Sequence, residues 1–149
     1  MKKASQFFAI SLLCLSVSAC GKSKVEQCNA FIDRATKAQN AVNGLNLATD
    51  DKKELEKGAS AIEVEAKAFS AVEVKDEKLA GFRDAYGKIL ADLGKILSDL
   101  ATAQADAADA SKAEAAATKV KTLVASAEAL EKSESSLVDQ INQYCSGTK

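Results

Sequence analysis

The chain has 149 residues, a net charge of −1 and an apolar content of 47%, enough for one packed core and too much for a disordered tail. It holds 29 alanines and no proline, histidine or tryptophan, and aromatics make up only 5%. A chain without proline and rich in Ala, Lys, Glu and Leu points to long uninterrupted helices and away from a sheet-rich domain. Absence of histidine removes the commonest general base, metal ligand and haem ligand together.

Met1-Lys2-Lys3 is a short basic stretch, followed by the apolar run Phe7 to Val17. That run is too short to span a bilayer as a helix. Small residues close it in Val17-Ser18-Ala19-Cys20-Gly21. This segment resembles a bacterial lipoprotein signal, with an aliphatic residue at −3, small residues at −2 and −1, and the cysteine. The resemblance covers residues 1–21. It implies diacylglyceryl transfer to the Cys20 sulfur, cleavage before Cys20 and acylation of the new amino terminus. Two or three acyl chains, each buried methylene contributing roughly 0.8 kcal/mol, would hold the protein stably on a membrane. In lipoproteins of two-membrane bacteria, Asp after the cysteine favours retention in the inner membrane; Gly21 stands there, so the expected location is the outer membrane, facing the periplasm. The outer leaflet of the cytoplasmic membrane is the alternative. Residues 1–19 are thus expected to be a signal peptide, 20–22 a lipidated N-terminus and 23–149 one helical domain. Loss of Lys2 and Lys3 leaves the mature chain at −3, with no basic footprint for nucleic acid.

Four helices follow in chain order. Ser23-Lys24-Val25-Glu26 is a capping box, and the apolar series Cys28, Phe31, Ala35, Ala38, Val42, Leu45 predicts helix one over about Ser23 to Leu45. Asn43-Gly44 and Asn46 signal its end. Helix two is expected from Asp50 or Asp51 to Val72, with Leu55, Ala59, Ile62, Ala66 and Phe69 on one side. Val72-Glu73-Val74-Lys75 alternates like a strand, but four residues between helices predict a turn.

Helix three, about Asp76 to Ala108, carries the strongest pattern. Leu79, Phe82, Tyr86, Ile89, Leu93, Ile96 and Leu100 follow steps of three and four and predict a packing seam. Beside it Ala80, Gly87, Gly94, Ala101 and Ala108 form a stripe of small residues, expected to let a neighbouring backbone come close. Ser111-Lys112-Ala113-Glu114 reads as the capping box of helix four, running to Tyr144 through Ala116, Val120, Leu123, Ala127, Leu130, Leu137 and Ile141. Glu134 falls on that apolar side. It is expected to reach solvent by its stem.

Short connections and two longer final helices predict an all-α, antiparallel up-down-up-down four-helix bundle with a longer helix 3/helix 4 hairpin. Large side chains stop at Leu100 and resume at Val120, so the alanine-rich tip, Ala101 to Lys119, is expected to project beyond the core and to be the part offered to a protein partner.

Of four cysteines, Cys14 would leave with the signal and Cys20 would be lipidated. Cys28 and Cys145 remain at ends that an antiparallel bundle brings together, so a structural disulfide is expected. No Cys-x-x-Cys spacing suggests a redox pair. Glu-x-x-His di-iron sites and haem attachment both need histidine, and the chain has no phosphate loop or nucleophile elbow. No catalytic, metal or cofactor residue is therefore assigned. The leading expectation is a non-catalytic envelope lipoprotein presenting a helical bundle for protein contacts or structural support. The alternative is a carrier of an apolar ligand or lipid beside the Gly87–Gly94 stripe. A third reading starts from Lys149: the major murein lipoprotein is similar in being lipidated at its N-terminus and linked to peptidoglycan through a C-terminal lysine. A bundle that returns its C-terminus to the membrane-proximal end places this tether last.

Overall fold

A computed structural model describes residues 23–45, 49 and 51–147. The signal segment with Cys20, the start alternative at Asp50, Asn46 and Lys149 lie outside the described residues. Four helices form an all-α helical bundle: α1 (Lys24–Asn43), α2 (Lys52–Ser70), α3 (Glu77–Ala107) and α4 (Ala113–Ser146). No strand occurs among the described residues, and Val72 to Lys75 form an irregular connection.

Three of the four starts follow from side-chain caps. Ser23 Oγ accepts from the Glu26 N–H while Glu26 Oε2 accepts from the Ser23 N–H, a closed capping box. Asp51 caps α2 through the Lys53 N–H, and Asp76 caps α3 through the N–H groups of Lys78 and Leu79. The box expected at Ser111 does not form. Ser111 instead donates its N–H and its hydroxyl to Asp109 Oδ1, and α4 starts after Lys112 with no side-chain cap. Asp109 lies two residues upstream, and its local turn captures the hydroxyl that the box would need.

The aromatic part of the core lies toward the end of the bundle that holds Cys28. Phe31 of α1 meets Phe69 of α2 edge-on at 5.1 Å, and Phe69 meets Tyr86 of α3 at 4.7 Å. Ile62, Leu79, Leu137 and Ile141 join it, and Leu55, Leu90, Leu97 and Ala101 carry the core toward the α3–α4 hairpin. α2 and α3 share the largest interface, α4 lies mainly on α3, and α1 leans on α2. Arg34 of α1 ties itself to Glu65 of α2, both side chains mostly shielded from solvent.

The seam expected along α3 divides. Leu79, Phe82 and Tyr86 are buried, but beyond them Leu90 and Leu97 are buried while Ile89, Leu93, Ile96 and Leu100 stay half-exposed. The small stripe explains the switch. A Cβ on Gly94 would stand 3.5 Å from Ala59 O and 3.9 Å from Glu63 N, so the α2 backbone runs directly over it. Leu90 and Leu97 each follow a stripe glycine by three residues, so they sit on the same face and are covered with it. A strict seven-residue repeat also drifts about 20° per heptad on a straight helix, which carries the expected seam off the interface.

The projecting tip is shorter than the alanine run. Ala101, Ala103 and Ala116 are buried, and Gln104 Nε2 donates to Thr49 O in the α1–α2 connection. Between Ala103 and Ala116 no described residue is buried. Small side chains are buried at the base of the tip, where Gln104 of α3 meets Thr49.

Two glycines on α3 test this packing in opposite directions. Nothing lies within 4 Å of a Cβ placed on Gly81, so Gly81→Ala should raise stability by about 0.5–1 kcal/mol through helix propensity. Gly94→Leu should lower it by about 1–3 kcal/mol, because atoms beyond Cβ meet the α2 backbone. Urea denaturation midpoints of the two variants, moving apart, are the expected result.

Candidate binding groove and the disulfide end

Cys28, in the second turn of α1, and Cys145, in the last turn of α4, are joined as a disulfide with Cα atoms 5.7 Å apart. The surrounding groups form a compact polar and aromatic cluster. Tyr144 donates its hydroxyl to Asp76 Oδ2 at 2.8 Å, packs edge-on against Phe82, and takes Lys24 Nζ over its ring at 3.7 Å. Asp76 therefore both caps α3 and anchors the end of α4. Its carboxyl is held below the usual carboxylate range, first by the Leu79 N–H, then by the Tyr144 hydroxyl, with Lys78 N–H and the Lys24 charge adding to it.

Gln27, buried beside Cys28, adds a link that the sequence pattern did not announce. Its side-chain oxygen accepts from the N–H groups of Lys75 and Asp76, at 2.6 and 3.1 Å. Those donors belong to an irregular segment and would otherwise lack a helical partner. The strand-like Val72-to-Lys75 stretch is thus pinned to α1 through one glutamine.

One turn-spaced step up the bundle, the Tyr86 hydroxyl donates to Glu134 Oε1 at 2.8 Å. Burial, reinforced by the Glu134 hydrogen bond and charge, pushes the Tyr86 phenol far above its ordinary value. Tyr86 thus stands as a donor to Glu134. Glu134 does not simply reach solvent: it is half-buried, and it lines a groove.

Above this point α1 and α4 part, leaving a half-open trough of about 680 Å³ over α3. Its floor is the row Ile89, Leu93, Ile96 and Leu100, the part of the expected seam that α2 leaves uncovered. Val42 of α1 forms one wall; Val124, Ala127, Leu130 and Val138 of α4 form the other. Every charged side chain that lines it is acidic: Glu128, Glu131, Glu134 and Asp139. The Gly87–Gly94 side of α3 differs. A Cβ on Gly87 would meet Ser70 Oγ at 2.9 Å, and a more open depression of about 790 Å³ runs along that seam, lined by Ala59, Ala66 and Ala91 together with Glu63, Lys67, Lys95 and Asp99. The large apolar side chains line the trough on the opposite face from the glycines.

Among the described residues no cluster of three or more Cys, Asp or Glu is placed to hold a metal ion, and no helix is long and apolar enough to cross a membrane. No protein-family model, curated protein or solved structure matches the chain.

The disulfide end yields two expectations. The cysteines lie 117 residues apart, and closing such a loop in the unfolded chain is worth up to about 5 kcal/mol. Replacing both with serine should lower stability by up to that amount, read as a lower urea midpoint, and unreduced peptide mapping should recover Cys28 and Cys145 in one fragment. Separately, because the folded carboxyl of Asp76 sits below its ordinary 3.8, its contribution is present above that pH and is lost as pH falls through the folded value. Asp76→Asn, which keeps the capping oxygen, should be less stable than wild type at pH 7. The gap should close on acidification below about 4, read from paired urea midpoints.

Proposed function

We propose that the protein is a non-catalytic lipoprotein of the bacterial envelope, anchored through lipid on Cys20, whose helical bundle makes contacts with another protein. The trough over α3 is the observation that carries the contact reading. A lone bundle gains by covering a row such as Ile89, Leu93, Ile96 and Leu100, and a long half-covered apolar row is the kind of surface a partner buries. The anchor rests on Val17 to Cys20 in the sequence and on its resemblance to lipoprotein signals. Gly21 favours the outer membrane with the bundle facing the periplasm; the outer leaflet of the cytoplasmic membrane is the other location.

The bundle follows an up-down-up-down order in this reading. Early α1 bonds to late α4 at Cys28–Cys145, early α1 meets late α2 at Phe31–Phe69, and Asp99 of late α3 pairs with Lys119 of early α4. These pairings support alternating directions. Cys28 then lies close to the lipid, and the exposed part of the hairpin between α3 and α4 points away from the membrane as a secondary contact surface.

The same trough supports one competing use. Its volume lies within the usual range for ligand pockets, so a bound lipid or other apolar molecule is the alternative occupant. Replacing Cys20 with Ser should release the protein from membranes or leave an uncleaved precursor; wild-type protein with an unmodified, soluble N-terminus would end the anchor reading. Native mass spectrometry of protein taken from its own membrane separates the two occupants: a bound protein supports contact, a bound lipid the carrier.

A further inference from the structure

We propose that the trough between α1, α3 and α4 is a docking site for a basic amphipathic helix from a partner protein. This rests on the contact reading above and specifies its chemistry. Two features of the trough select the occupant.

The first is shape. The floor residues on α3 recur at steps of three and four, and Val124, Ala127, Leu130, Glu134 and Val138 do so on α4, so both present helical ridges along the trough. The lined part of α4 runs from Val124 to Asp139, about 24 Å at the usual helical rise. A guest helix of roughly four turns could lay one apolar face between those ridges, as helix-in-groove complexes do. The half-open form fits such a guest better than a small ligand, which a pocket normally surrounds on most sides.

The second is charge. Glu128 and Glu131 stand exposed on the α4 rim with Lys132 beside them, Asp139 is exposed farther along it, half-buried Glu134 lies bonded to Tyr86, and no Lys or Arg lines the trough itself. A guest with acidic flanks would be repelled along that wall. One with lysines or arginines flanking its apolar face meets opposite charge there, which fixes orientation and speeds association. Neutral acyl chains would draw nothing from this rim.

The test uses the protein as isolated from its host, held in nanodiscs of neutral phospholipid if it carries lipid and in buffer if it does not. The probe is a synthetic helix of roughly 16 residues with leucines on one face, lysines on its flanks and a photoreactive group at its centre. The expected result is saturable binding whose crosslinks map to α3 and α4 within the trough. Glu128→Gln with Glu131→Gln should weaken it roughly tenfold at low salt, with little effect near 1 M salt. Val124→Ser, at an exposed wall position, should weaken it at both salt concentrations. A scrambled peptide of the same composition, lacking the apolar face, should not bind in the trough. The proposal is overturned if a glutamate-flanked version binds equally well, if crosslinks fall outside the trough, or if palmitate fills it while the lysine peptide does not. If native mass spectrometry retains a protein partner that the Glu128, Glu131 and Val124 variants leave in place, the contact reading stands and this docking site falls.

Discussion

The close approach of α2 to α3 over Gly94 governs the rest of the molecule. A helix as apolar as α3 has two faces to cover, and only one of them carries residues small enough for another backbone to lie on it. α2 takes that face and buries Leu90 and Leu97. What remains, Ile89 to Leu100, falls to α4 and to the end of α1, and these cover it only in part. The trough is the consequence of α2 being committed elsewhere.

The two ends of the bundle then differ in how tightly they are held. Near Cys28 a covalent bond, the Asp76–Tyr144 hydrogen bond, the cation over Tyr144 and the Gln27 anchor all bind different elements to one another. Toward the hairpin the ties are weaker: Asp99–Lys119 spans 3.8 Å between partly exposed groups, a pair worth about 1 kcal/mol or less. Fixing α1 to α4 at one end while the helices part at the other leaves a trough over Ile89 to Leu100, with Glu134, bonded to Tyr86, in its α4 wall.

Much of the helical framework was legible because its signals are local. Capping at Ser23, Asp51 and Asp76 depends on residues two or three positions apart, and all three caps form. Ser111 carried the same signature and failed, since Asp109 competed for its hydroxyl within the same turn. The expected tip at Ala101 to Lys119 was too long for a different reason. Side-chain size marks where a large-residue core ends, yet alanines at 101, 103 and 116 are buried and Gln104 bonds to Thr49, contacts to which residue size is blind.

The sequence by itself determined that the chain is helical, where three of its four helices start, which cysteines could meet and which row on α3 was apolar; each is set by residue chemistry or by spacing along one helix. Only the tertiary structure decided which face of α3 would be buried, where Glu134 and Gln27 would find their partners, and that an acid-rimmed apolar trough would stay open. Those outcomes depend on which backbone can come closest to α3, a steric competition between elements far apart in the chain, and Gly94 settles it in favour of α2.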